Sequence, residues 1–150
     1  DPVGVEVAAA GAAVGAIAIG FCLQLDLGPA TLAMFVTRGT AELARVVRAA
    51  GGKPESAFGL AGLGDLLVRR ESESREIQAG RLLAQGKTAA DIHKTLGQLD
   101  AIDAATTFAK LAQKRNIEAH LTGAVAGMLA GKLTASEAIM GLMSLAQMAE

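Results

Sequence analysis

Chemistry needs side chains that hold a proton, a charge or a lone pair, and this sequence brings few of them close together. The densest run is Arg69-Arg70-Glu71-Ser72-Glu73-Ser74-Arg75-Glu76. Runs of mixed sign usually form solvated faces, yet the planar forks of the arginines could also grip a phosphate. Just upstream stands Asp65, which reads either as a carboxylate at a helix start or as a site acid. Before it, Gly59-Leu60-Ala61-Gly62-Leu63-Gly64 has the order G-x-x-G-x-G. The dinucleotide fingerprint is G-x-G-x-x-G after a strand, so a tight bend is expected here rather than a cofactor loop. His93 and His120 have no second His, Cys or carboxylate at ligand spacing, and no metal site is expected. Cys22 sits in an apolar stretch and reads as a small buried hydrophobe. No Ser-His-Asp set and no catalytic carboxylate pair can be built from spacing alone.

The elements that must position these residues read as helices. Apolar periodicity is helical almost throughout, and no alternating run of β-branched residues suggests a strand. A first helix is expected over Val3 to Leu23. Pro29 fits the first position of a second helix, Ala30 to Ala50, which Gly51-Gly52 stops. A short turn at Pro54-Glu55-Ser56 and the glycine bend follow. Short helices are then expected from Asp65 to Arg69 and from a cap at Ser72 or Ser74 to Gln85. Thr88-x-x-Asp91 has capping-box spacing for a helix through Leu96. Further helices are expected over Ala101 to Lys114, from a Thr122 cap through Leu129, and from Thr134-x-x-Glu137 onward. The sum is about eight helices in one compact all-α bundle over residues 1–150. His120 is expected between helices.

Val7 to Leu23 carries no charge, but it falls slightly short of a membrane span and has no basic flank. A helix buried all round is the expected reading, with Gly11 and Gly15 allowing close packing. The chain is 51% hydrophobic with a net charge of -1, which argues against disorder. Basic and acidic residues balance at 14 to 15 and Trp and Tyr are absent, which argues against a nucleic-acid reader. One cysteine rules out an internal disulfide, and the lack of a signal peptide gives the cytoplasm as the expected compartment. Core packing is expected of most methionines. Met140, Met143 and Met148 decorate the last helix; that helix and the Gly11/Gly15 face are the surfaces expected at an oligomer contact. The expected partners are a small-molecule ligand and further copies of the chain, a dimer being favoured, with no nucleic acid and no membrane.

Several segments taken in order carry a resemblance. They are Gly4-Val5-Glu6-Val7, Thr37-Arg38-Gly39 with Glu42, Gly59-Leu60-Ala61-Gly62-Leu63-Gly64-Asp65-Leu66, and Ser74-Arg75 followed by Gly80. The chain resembles the C-terminal substrate domain of NAD(P)-dependent glycerol-3-phosphate dehydrogenase, of the 6-phosphogluconate dehydrogenase C-terminal-like superfamily. The resemblance implies an all-helical fold. It also implies an N-terminal Rossmann domain that this chain lacks, and the start at Asp1 rather than Met suggests a fragment or a trimmed chain. NAD or NADP would be the cofactor with such a domain upstream, and no cofactor is expected for this chain alone.

The resemblance also implies site residues. The family's stretch G-A-L-K-N-V aligns with Ala9-Ala10-Gly11-Ala12-Ala13-Val14, so Ala12 and Ala13 replace its proton-transferring lysine and its asparagine. No catalytic residue is then intact, and a general acid–base group contributes about 10²–10⁴-fold. Asp65 keeps the aspartate that contacts the glycerol hydroxyls. Ser74, Arg75 and Glu76 stand at the family's phosphate-binding S-R-N, with Arg75 also reaching cofactor. Leu99 and Asp100 stand at a later cofactor contact. Glu76 puts an anion where a phosphate binds, and it could suit an amine instead. Glu6, Thr37, Arg38 and Glu42 are expected as polar contacts that hold the fold. The function expected is a degenerate substrate-binding or dimerisation domain without the parent activity. The alternative is the C-terminal half of an active NAD(P)-dependent reductase with an altered substrate.

Overall fold

The computed structural model describes the backbone of residues 1–148 and the side chains through Ser144. Met148, one of the methionines expected at an oligomer contact, has its side chain outside the described residues. Among the described residues there are eight α-helices and no strand. They are α1 (Pro2–Gln24), α2 (Pro29–Ala49), α3 (Asp65–Glu71), α4 (Arg75–Ala84), α5 (Ala89–Leu96), α6 (Asp100–Arg115), α7 (His120–Leu129) and α8 (Ala135–Met148). A 3₁₀ turn, Pro54–Phe58, and a π-helical turn, Leu60–Gly64, connect α2 to α3.

The molecule is built around α1. Asp1 caps it by accepting from the Gly4 amide at 3.0 Å, and Pro2 occupies the first helical turn. The other oxygen of the same carboxylate accepts from Lys53 N at 2.7 Å and from Ser56 Oγ at 2.8 Å. One side chain thus starts the helix and fixes the 3₁₀ turn beside it. Along its length α1 meets α2, α3, α4, α6 and α7. By length and composition it could cross a membrane, and half of its apolar window is buried inside the domain.

The tightest crossing in the fold is α1 on α4. A Cβ at Gly20 would run into the Ile77 carbonyl, and a Cβ at Gly80 into the Ile17 carbonyl. Each backbone lies where the other helix's side chain would be, so both positions demand glycine. Gly11 and Gly15 also face neighbours in the same chain, Leu43 and Leu66 respectively. The small-residue face expected at an oligomer contact is therefore used inside the molecule.

Three of the four side-chain caps expected after α3 are found where the sequence puts them. Ser74, not Ser72, caps α4, and the boxes at Thr88/Asp91 and Thr134/Glu137 both close. Three expectations are corrected. The glycine bend is a π-helical turn that runs directly into α3, with Gly62 pressed against the Ala57 carbonyl. Helix α7 begins at His120, two residues before the expected Thr122 cap, so His120 is helical rather than between helices. Met140 and Met143 are exposed on α8 instead of packing in the core.

Candidate functional site

The residues singled out in the sequence fall at two junctions. At the first, α3 opens with Asp65 and α4 opens after Ser74. Asp65 Oδ2 accepts from Arg69 Nε at 2.8 Å, one helical turn along α3. The same guanidinium reaches Glu76 of α4, with Nη1 at 3.0 Å from Oε2. Arg69 therefore bridges two carboxylates and ties α3 to α4. Ser74 Oγ is engaged as the cap of α4, accepting from Ile77 N at 3.4 Å.

The charges answer to this geometry. Burial alone would raise the Glu76 carboxyl, but its own backbone amide, Ser74 and the Arg69 guanidinium together hold it below the usual glutamate range. Burial alone would weaken Arg69 as a base, but hydrogen bonding and charge from Asp65 and Glu76 raise it above its ordinary value. The mixed-charge run is thus a set of pairs. Arg70 meets Glu71 at 2.7 Å and Arg81 meets Glu73 at 2.8 Å.

At the second junction Arg75 turns away from Glu76. Its Nη1 donates to the Leu96 carbonyl at 3.1 Å and lies at the edge of bonding to the Gln98 carbonyl at 3.5 Å. It therefore anchors the connection from α5 to α6, where Leu99 and Asp100 stand. Leu99 is buried in the core, and Asp100 is exposed at the start of α6. The sequence set accordingly divides into Asp65, Ser74 and Glu76 with Arg69, and Arg75 with the Leu96–Asp100 segment.

Ala12 is 1% exposed and packs with Ala16, Ile19, Leu66 and Ile77. Leu66 follows Asp65 and Ile77 follows Glu76, so Ala12 lies against the charged junction's own apolar floor. Ala12 also lines an apolar cavity of about 50 Å³ with Gly11, Gly15, Leu43 and Leu63. The two hydroxyl residues on the cavity wall are both engaged: Thr40 donates to the Val36 carbonyl and Thr122 to Glu42. No group on that wall is placed to give or take a proton. Ala13 packs against the main core.

Of the polar residues expected to hold the fold, only Glu42 joins two elements. Glu6 and Thr37 are exposed, and the Thr37 hydroxyl returns to the Ala33 carbonyl of its own helix. Glu42 is 4% exposed on α2. Its Oε1 accepts from Leu121 N at 2.9 Å and its Oε2 from Thr122 N at 3.1 Å. A carboxylate seventy-nine positions away in sequence from Leu121 thus caps α7 in place of a local residue. Burial pushes this carboxyl up, and the amides of Leu121 and Thr122, with Arg45 and His120, draw it back only in part. Sequence reasoning missed this long-range cap, which leaves no local signal. The Arg69 bridge did leave one, since acid and base stand at i and i+4 in Asp65-x-x-x-Arg69.

The chain is 41% identical over 145 residues to the glycerol-3-phosphate dehydrogenase [NAD(P)+] of Polaromonas naphthalenivorans, covering 95% of this chain and 41% of that protein. The corresponding enzyme of Nostoc sp. is 40% identical, with 95% and 47% covered. The crystal structure of glycerol-3-phosphate dehydrogenase from Coxiella burnetii superposes with a TM-score of 0.86 at 34% identity, over 95% of this chain and 45% of that one. The chain thus spans less than half the length of these relatives. Residues 1–140 match the family model of the NAD-dependent glycerol-3-phosphate dehydrogenase C-terminus, and the chain belongs to that family.

Proposed function

We propose that this chain is a substrate-side domain of the glycerol-3-phosphate dehydrogenase type that has lost the parent's proton chemistry. The observation that carries this reading is Ala12, a methyl group 1% exposed against apolar neighbours at the position aligned with the family's lysine. Carbonyl reduction needs a proton at the oxygen as the hydride arrives at carbon, and a positioned acid contributes about 10²–10⁴-fold. Ala12 can supply none, and the cavity beside it holds no replacement. Loss of lysine and asparagine together also leaves no half-satisfied polar group behind. NAD(P) chemistry, as the relatives' names describe it, belongs to this chain only as part of this proposal.

The phosphate side supports the same reading. Glu76 is ionised and already bound to Arg69, so the junction offers a phosphate ester an occupied cation and a nearby anion. Titration of dihydroxyacetone phosphate into the chain tests this. The expected result is no binding tighter than about 1 mM. Micromolar binding would contradict the proposal and favour an active reductase.

A further inference from the structure

The cavity beside Ala12 takes its walls from α1, α2, the π-helical turn, α3, α6 and α7. Its volume is about 50 Å³, more than the roughly 30 Å³ that one water occupies in the liquid. Its side chains are apolar except for Thr40 and Thr122, and both hydroxyls give their proton away, to the Val36 carbonyl and to Glu42. A water inside would therefore meet no hydroxyl donor, whereas a buried water typically makes about three hydrogen bonds. Apolar cavities of this kind stay dry and take apolar guests. The space is also fixed by the packing around it. Neither Gly11 nor Gly62 has room for a side chain, because a Cβ would run into Leu43 and into the Ala57 carbonyl respectively. Val36, Gly39 and Leu43 of α2 and Leu63 of the π-helical turn are only half-buried, so the rim of the cavity reaches the surface between these two elements.

We propose that this cavity is a binding site for a small apolar molecule, entered between α2 and the π-helical turn and closed at its inner end by Ala12, Phe35 and Val125. Its volume limits the guest to about two or three heavy atoms, by comparison with the space one water takes. Selection is by polarity. An apolar guest leaves water and gains dispersion contacts with a dry wall, whereas a polar guest loses hydrogen bonds that the wall does not return.

The test is a titration of the folded chain, labelled at its Leu and Val methyls, with dissolved ethane and separately with methanol, a polar molecule with the same number of heavy atoms. Ethane should shift the methyl resonances of Leu43, Leu63, Leu66 and Val125 saturably, with a dissociation constant of about 10 mM, near the limit for so small a ligand. The exposed methyls of Leu60 and Leu67 should not follow. Methanol should bind at least about tenfold more weakly, because its hydroxyl must leave water. Ala12→Val extends a side chain into the space from α1 and should weaken ethane binding about tenfold or more. Gly39→Ala does the same from α2, where a Cβ meets nothing closer than Leu121 Cδ1 at 3.7 Å, and it decides alone if Ala12→Val does not fold. Ethane shifts that stay linear in concentration, or that survive these substitutions in folded protein, would overturn the inference. So would methanol matching ethane, or nuclear Overhauser contacts from the wall methyls to a resident water. Neither probe carries a phosphate or a reducible carbonyl, so either result leaves the proposed loss of parent chemistry to its own test.

Discussion

At the scale of single residues, the same side-chain type does opposite work in different surroundings. Glu76 is held below the usual glutamate range by its own backbone amide, Ser74 and Arg69 together against burial, whereas Glu42 is pushed toward its neutral form by burial. Glu42 nevertheless satisfies two orphan amides of α7. Glu42→Gln keeps one carbonyl oxygen and turns the other acceptor into a donor. The expected cost is about 1–3 kcal/mol, the range for a buried amide left unpaired, read from chemical denaturation. The sign of its pH dependence follows from linkage. A carboxyl whose folded pKa exceeds the unfolded value binds more protons in the folded state, so its contribution falls as pH rises. The advantage of wild type over Glu42→Gln should therefore shrink as pH rises from the ordinary 4.5 through the raised folded value. An advantage that grows toward neutrality would show that the two amides outweigh burial.

Cys22 gives a simpler prediction. It is 3% exposed, and burial pushes its thiol up to about 12 despite a backbone hydrogen bond. The folded chain should resist thiol-specific reagents at neutral pH and react fully after denaturation. Rapid labelling of folded protein would mean that α1 opens more readily than its packing implies.

At the scale of elements, α1 and α4 cross through Gly20 and Gly80. Gly80→Ala should destabilise by about 1–3 kcal/mol or more, because the obstacle is the Ile17 carbonyl and not a flexible side chain. A melting temperature equal to wild type would refute that close approach. Here the sequence was partly legible. Gly80 stood out within a segment that carries the resemblance, but nothing in a one-dimensional pattern says that it meets the Ile17 carbonyl of α1. Boundaries were read well where chemistry is local. Pro29 opens α2, and the Thr-x-x-Asp and Thr-x-x-Glu boxes open α5 and α8 because donor and acceptor lie within one turn. The start of α7 was misread because Thr122 matched a cap type while the true acceptor, Glu42, lies on another helix. The π turn before α3 was read as a bend because glycine density signals an irregular backbone without naming its geometry.

At the scale of the whole molecule, the all-α bundle followed from helical periodicity, and the central place of α1 from its lack of a polar face. The candidate site was less legible. The resemblance grouped Asp65, Ser74, Arg75 and Glu76, but it could not show that Arg75 leaves for the Leu96 carbonyl while Arg69 stands beside Glu76. Which guanidinium faces which carboxylate depends on how α3 and α4 are packed, and that is a tertiary property. The fold keeps the family's frame, and on the proposed reading its chemical positions are refilled, Ala12 by packing and Glu76 by an internal ion pair. Fold alone does not decide activity when the site is the part that differs.

The most direct test of that account is oxidation of NADH or NADPH by the natural full-length product when dihydroxyacetone phosphate is added. The account predicts no turnover above background from folded protein that still binds the dinucleotide. Sustained turnover would contradict it, and would mean that another group delivers the proton that Ala12 cannot.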